Sequence, residues 1–509
     1  MLEAYAEGEI YPYHMPGHKR QNIGKLPDSI CKWDITEIED FDNLHQPEGI
    51  LLSLQSKAAR LYGAEESFYL VNGSTGGILS AVSCALPVGG RILMGRNCHK
   101  SVYHAAYIRK LNISYLYPPL LEPFDIFDAV LPESIEEALE HETGIGAVLI
   151  VSPTYEGRIS DVQAIAEVVH RKGIPLIVDE AHGAHLGLTS GTCNSCQAGA
   201  DLVIHSVHKT LPALTQSALL HVNGSLVNRS LLKRFLHIYQ TSSPSYLLMA
   251  SIDSALQYME EEGNKAFERF QCLYGEMMQA LKKCRYLSFL PMNDRKQDIG
   301  KLLISVKGSG YTGKQLYDIL LHQYGLQLEM VSATYVLAMF TVSDREEAYQ
   351  RMTDALLQID DEMGKRGKKN KLECKEIEER EEKEEREKKE REEREGKEEK
   401  ENYMKCGLAL LPFAEAWDRQ MEKVPLEESI GRCAGEFVNL YPPGIPLLVP
   451  GERITKELYH SILEKFAQGL TVQGIESQVW GQNTEGQMEG KTRLYIYVIE
   501  DIEEREDEV

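Results

Sequence analysis

The sequence lacks an apolar N-terminal core. "MLEAYAEGEIYPYHMPGHKR" carries no h-region, so no secretory signal is expected. No uninterrupted apolar span is long enough to cross a bilayer. Basic residues are in deficit: 55 Lys and Arg face 78 Asp and Glu, for a formal charge of -23. That balance disfavours nucleic acid and anionic membranes as partners. The ten cysteines form no framework, so free thiols in a reducing, cytoplasmic setting are expected. One pair, Cys193 and Cys196 in "TCNSCQ", has CxxC spacing. No second pair completes a zinc site, and the two read as loop thiols. The glycine-rich stretch at 72–77 is neither a P-loop nor a GxGxxG, which argues against ATP and NAD as its obvious ligands.

What is present is 509 residues, 43% hydrophobic, enough for two or three domains with sizeable cores. Between about 65 and 224, short apolar runs alternate with amphipathic stretches. The runs are "SFYLV" (67–71), "RILMG" (91–95), "AVLIV" (147–151), "IPLIV" (174–178), "DLVIH" (201–205) and "ALLHV" (218–222). Each is near-continuously apolar rather than alternating, as suits strands of a parallel sheet buried on both faces. Segments such as "DVQAIAEVVHRKG" (161–173), with an acidic cap candidate and a terminal glycine, read as intervening helices. The fold class is α/β.

Four divisions are expected: a large domain over 1–285, a smaller α/β domain over 286–362, a charged insertion over 363–402, and a C-terminal domain over 403–509 ending in an acidic tail. Residues 225–285 read as helical throughout. The insertion contains "KEIEEREEKEEREKKEREEREGKEEKE" (375–401), which has no apolar stripe to bury. It reads as a solvated helix held by i,i+4 charge pairs or as a disordered tether.

Ligands of open α/β sheets bind beyond the carboxyl ends of the strands, so the residues after each run matter. After "SFYLV" comes Asn72-Gly73-Ser74-Thr75-Gly76-Gly77, a glycine-rich turn opening a helix. Free N–H groups and the positive helix end suit an anion there. After "RILMG" comes His99, able to stack on a planar ring or exchange a proton. After "IPLIV" comes Asp179, a carboxylate that needs a cation at such a place. A metal held by Asp179, His182 and His185 is the competing partner; no second ligand cluster supports it, and no metal is expected. After "DLVIH" comes Ser206-Val207-His208-Lys209. Pyridoxal phosphate fits all of these features. A lysine condenses with its aldehyde, an aspartate keeps its ring nitrogen protonated, and a helix N-terminus holds its phosphate.

"HMPGHK" (14–19), "DITEIEDFDNLHQPEGI" (34–50), "FYLVNGST" (68–75), "GRNCHKSVYHA" (95–105), "SPTYEGRISD" (152–161), "VDEAHGAH" (178–185), "HSVHKTLPALTQSALL" (205–220) and "TSSPSYLLMASID" (241–253) together resemble the Orn/Lys/Arg decarboxylase family in its shorter bacterial form. "PLEESIGRCAGEFVNLYPPGIPLLVPGE" (425–452) is similar to that family's C-terminal domain. The resemblance implies a fold-type I pyridoxal-phosphate enzyme, homodimeric or larger, with active sites at the subunit interface. It implies Lys209 as the lysine joined to the cofactor, Asp179 as partner of the pyridine nitrogen and His99 as the residue stacked on the ring. It implies Ser74, Thr75, Gly76, Ser206 and His208 as the phosphate cradle, with His182 beside the ring. The family's larger members carry an N-terminal wing domain; this chain opens almost directly on "PYHMPGHK", so wing-mediated assembly is not expected. The implied reaction is decarboxylation of lysine, arginine or ornithine to the amine and carbon dioxide. His99, His208 and Lys209 are the candidates to return a proton to the α-carbon. Transamination or β-elimination on the same scaffold is the first alternative, and a catalytically silent scaffold protein the second.

Overall fold

The computed structural model describes residues 1–7, 15–16, 18–19, 28–189, 191–291, 296–374, 409–440, 445–482 and 488–500. The charge run 375–401, the acidic tail beyond residue 500, and His14 and Gly17 of "HMPGHK" lie outside the described residues.

Seven strands form the central sheet: β1 (Glu66–Leu70), β2 (Arg91–Gly95), β3 (Asn112–Leu116), β4 (Ile145–Val151), β5 (Leu176–Asp179), β6 (Leu202–His205) and β7 (Ala218–Val222). Their order is β1-β7-β6-β5-β4-β2-β3. Six of them are the apolar runs of the sequence. The seventh, β3, is an edge strand, "NISYL", paired with β2 alone among the described residues; its burial alternates and it shows no continuous apolar run. A second difference is direction: β7 runs antiparallel to both neighbours, β6 and β1. It is buried on both faces like the parallel strands, so composition alone does not reveal its direction.

The near-continuous hydrophobicity has a direct cause. Along β2, Ile92 and Met94 pack into one core with Ile78, Ile177 and Ile204, while Leu93 points into another with Val148, Val178 and Val203. Both faces are covered, so Ile92, Leu93 and Met94 are apolar on either side of the strand. Helix α1 (Gly73–Ala85) lies close on the first face. A Cβ at Gly77 would stand 2.7 Å from Leu70 Cδ1 and 3.1 Å from Ile204 Cγ2, so a glycine is what lets helix and sheet approach. Helix α2 (Lys100–Ile108) follows β2, and the helix Val162–His170 is capped as the sequence suggests, with Asp161 accepting from the Ala164 N–H.

A 36-residue helix, Tyr246–Leu281, leads away from the sheet. It packs against a four-stranded antiparallel sheet of β8 (Ser288–Phe289), β9 (Lys301–Ser305), β10 (Met330–Val331) and β11 (Tyr335–Met339), ordered β8-β9-β11-β10. The helix Glu346–Cys374 runs on twelve residues past the boundary expected at 362. Beyond the charge run, two three-stranded sheets and the helix Lys456–Ala467 form a C-terminal unit with its own core of Leu426, Val438, Leu448, Ile462 and Ile496.

That unit is docked by a buried ion pair. Arg96, just after β2, reaches Glu452 at 3.1 Å and the Pro446 carbonyl at 2.7 Å, both side chains almost fully enclosed. The Glu452 carboxylate also accepts from the Val449 N–H at 2.9 Å. Around the pair, Tyr103, Phe413, Trp417 and Phe437 pack edge to face. Breaking one partner of such a pair strands the other charge. Arg96→Met is therefore expected to cost about 3–5 kcal/mol, read as a fall in thermal midpoint, and Arg96→Met with Glu452→Leu should recover much of it. A single variant as stable as the parent would show that the pair does not dock the unit.

Candidate active site

The carboxyl edge of the sheet gathers the charged side chains. β5 and β6 pair in parallel, with Asp179 opposite Ile204, so Asp179 and the short helix Val207–Thr210 emerge side by side. Asp179 is 3% exposed, and its carboxylate accepts from the Ala181 N–H at 3.2 Å. Burial raises its pKa, and the positive charge of Lys209 opposes the rise. Lys209 is affected reciprocally: burial lowers its pKa, while Asp179 and Glu329 draw it up. The two groups thus leave from the same edge of the sheet, within electrostatic reach of one another.

Three histidines surround this pair, all with pKa values depressed chiefly by burial. His99 caps α2: its Nδ1 accepts from the Ser101 N–H at 3.2 Å, which leaves the proton of the neutral ring on Nε2. Burial, then the charges of Lys209 and Lys100, hold His99 down to about 4. His208 donates from Nδ1 to the Ser217 carbonyl at 2.8 Å. Its Nε2 then carries a lone pair, so His208 gives a hydrogen bond to an anion only by taking up a second proton. His182 lies between two lysines, with Nε2 3.0 Å from Lys209 Nζ and Nδ1 2.7 Å from Lys301 Nζ. Burial and both lysine charges push its pKa far down.

The glycine-rich turn forms the N-terminus of α1. Gly73 donates to the Gln216 carbonyl at 3.0 Å, tying the turn to the segment that follows Lys209. Gly76 donates to the Asn72 carbonyl at 3.3 Å and so closes the first helical turn. Ser74 and Thr75 are the positions whose N–H groups the helix geometry leaves over. Gly76 contributes space instead: a Cβ there would meet Asn72 Cβ at 3.3 Å. Ser206 is fully buried, and its hydroxyl has no hydrogen-bond partner among the described residues.

The rival metal set is not assembled. His182 is engaged by lysines, and His185 pairs with Asp298 at 3.1 Å. Of the CxxC pair, Cys193 is exposed and Cys196 buried, and both are free thiols. Among the described residues no helix is long and apolar enough to cross a membrane.

Sequence reasoning missed Lys301, Tyr155 and Glu329. Lys301 opens the run "KLLISV", a lysine beside buried apolar residues, which is the same signal that marks Lys209. It sits at the amino end of a strand in another sheet, and nothing in the sequence says that it meets His182. Tyr155 stands edge-on to the His182 ring, 4.7 Å between centroids, and its hydroxyl donates to Glu329.

The profile of the Orn/Lys/Arg decarboxylase major domain matches residues 1–293, and that of the family's C-terminal domain matches residues 401–500. The chain belongs to the Orn/Lys/Arg decarboxylase family. An arginine decarboxylase of Bacillus subtilis is 31% identical over 93% of this chain and 94% of its own length. The constitutive lysine decarboxylase of Escherichia coli is 23% identical over 94% of this chain and 78% of its own. The crystal structure of the Francisella novicida lysine decarboxylase LdcF superposes with a TM-score of 0.78, at 20% identity, over 98% of this chain and 80% of that one. The fold is that of fold-type I enzymes, and the chain is a carboxy-lyase.

The depressed histidines give the cofactor-free protein a pH signature. A histidine whose folded pKa lies below its unfolded value of about 6.5 contributes stability present above that value and lost as pH falls toward the folded pKa. For His99 the window runs from about 6.5 down to about 4. Relative to His99→Asn, the parent should lose up to about 1.4 kcal/mol of stability per pH unit through that window. Urea unfolding of both proteins at pH 7, 6 and 5 checks this; parallel curves would refute it.

Proposed function

We propose that the chain is a pyridoxal-phosphate-dependent decarboxylase of a basic amino acid, with arginine the leading substrate. The observation that carries this reading is the convergence of Lys209 and Asp179 beyond the ends of adjacent strands, with the Ser206 hydroxyl, buried and without a partner among the described residues, and a helix N-terminus beside them. Arginine leads because the relative with that name shares 31% identity, against 23% for the one named lysine decarboxylase.

The residues present fit pyridoxal phosphate. The Ser206 hydroxyl lacks a partner, two N–H groups are left over at the start of α1, and Asp179 is a buried carboxylate matched to a cationic ring nitrogen. Ser74, Thr75 and Ser206 would hold the phosphate, His208 would join them once a second proton sits on its Nε2, and the missing side chain of Gly76 lets the turn close against Asn72. Asp179 would hold a proton at the pyridine nitrogen, and His99, neutral and fixed by Ser101, offers a flat ring face. Bound there, the cofactor supplies an electron sink that lets the bond between the α-carbon and the carboxylate break.

The chain's own groups do the rest. Lys209 needs a free lone pair to bond carbon, and burial favours that neutral amine. His182, at 3.0 Å, is placed to take or give the lysine proton. Lys209 and the Nε2–H of His99 are the groups to return a proton to the α-carbon. A second copy of the chain is part of the proposal, as the resemblance implies.

The test is a parallel assay of arginine, lysine and ornithine with added pyridoxal phosphate. Carbon dioxide and the matching amine are expected, most from arginine. Lys209→Ala should lower turnover at least roughly a hundredfold. A keto acid formed without carbon dioxide would make the chain a transaminating enzyme instead.

A further inference from the structure

We propose that Lys301 is a positioning residue: through His182 it shares a single proton with Lys209, and so sets when the Lys209 nitrogen is free to bond carbon. This rests on the reading of Lys209 as the cofactor lysine and deepens it.

The argument is one of hydrogen-bond valence. Both ring nitrogens of His182 face a lysine nitrogen, at 3.0 and 2.7 Å. A neutral imidazole has one N–H and one lone pair, and an ammonium can only donate. Two ammoniums would therefore leave the N–H of His182 pointed at a cation. A cationic His182 would need lone pairs on both lysines, and its burial between them opposes that charge. The arrangement satisfied at both contacts has one ammonium and one free amine. The proton can change ends without net charge movement into the site. It leaves Lys209 Nζ for His182 Nε2 while the Nδ1 proton passes to Lys301 Nζ, and the ring ends as the other tautomer.

Each end has its own counter-charge. Asp179 faces Lys209, Asp298 and Glu156 face Lys301, and Glu329 acts on both. Asp298 is fixed by His185 at 3.1 Å; burial pushes its carboxyl up, and the His185 contact, together with the nearby Lys301, outweighs that and holds it below the usual range. His99 and His208 add to the field on His182, and burial depresses both of them. Burial and the charge on Lys209 bring Lys301 down to about 8, within reach of ordinary working pH.

Shape holds the trio in place. Lys301 is 2% exposed, and its chain lies on Gly157, where a Cβ would stand 2.7 Å from Lys301 Cγ. Gly157 has a φ of +95°, a conformation that side-chain-bearing residues rarely adopt. Asp298 donates from its N–H to the Gly157 carbonyl at 2.8 Å, pinning the segment before β9 to the loop after β4. Tyr155 fixes the plane of His182 from the side. A lysine held this closely on a histidine, with no substrate-facing exposure of its own, is built to act through that histidine.

The experiment reads the pH midpoint of the visible absorbance of bound pyridoxal phosphate, which reports the proton on the Lys209 nitrogen. Lys301→Met removes the competing cation and frees His182 to accept from Lys209, so the midpoint should rise by about one unit. Lys301→Arg keeps a cation that never yields its proton, so Nδ1 stays an acceptor, Nε2–H faces Lys209, and the midpoint should fall. Opposite shifts support the inference; no shift, or shifts of one sign, overturn it. Should Lys301→Met not bind cofactor, Lys301→Leu reads the same rise, since it too offers His182 Nδ1 no donor. In a His182→Phe background the midpoint should ignore Lys301→Met, and a shift persisting there overturns the relay. A parent protein that develops no visible band overturns the proposed function and this inference together, whereas a band indifferent to Lys301 overturns the inference alone.

Discussion

Everything at this site depends on keeping a lysine and an aspartate out of water at the end of a sheet. Each loses hydration there, and each is the other's main compensation. The constraint explains the local architecture. Asp179 and Lys209 must come from adjacent parallel strands, since only then do both leave at the same edge. The same burial depresses the pKa values of the nearby histidines, and the lysine charges add to the effect.

A second polar chain runs behind the same strands. Ser195 donates to Glu180, Glu180 bonds His205 at 2.6 Å, His205 bonds His221 at 3.0 Å, and His221 bonds Ser67 at 2.6 Å. It crosses β5, β6, β7 and β1 in turn, and Tyr62 packs against both histidine rings. Glu180 and His205 directly follow and precede the site residues Asp179 and Ser206. Burial raises the Glu180 carboxyl to about 8 and lowers His205 to about 3, so the two carry little separated charge. The chain satisfies polar groups that would otherwise be stranded beneath the site, and it holds the strand ends in register.

The C-terminal unit is tied to the same edge. Arg96 lies three residues before His99, on the turn between β2 and α2, so the anchor that docks the unit also shapes the backbone that presents His99. The small sheet enters through Lys301 and Asp298. The site is therefore assembled from three regions of chain around one pair of charges.

Much of this was legible beforehand. Doubly buried strands must be apolar throughout, so six of seven strands stand out, and the residues after them mark Asp179, Lys209, His99 and the glycine-rich turn. β3 was not legible because Asn112 and Ser114 interrupt its apolar residues, and the direction of β7 was not because burial is the same either way up. Within the site, the sequence by itself determined which chemical groups stand at the strand ends, since that follows from adjacency along the chain. Only the tertiary structure decided that Lys301, some ninety residues beyond Lys209, shares His182 with it. Hydrogen-bond partners across two sheets depend on how the sheets pack, and packing leaves no local pattern in the chain.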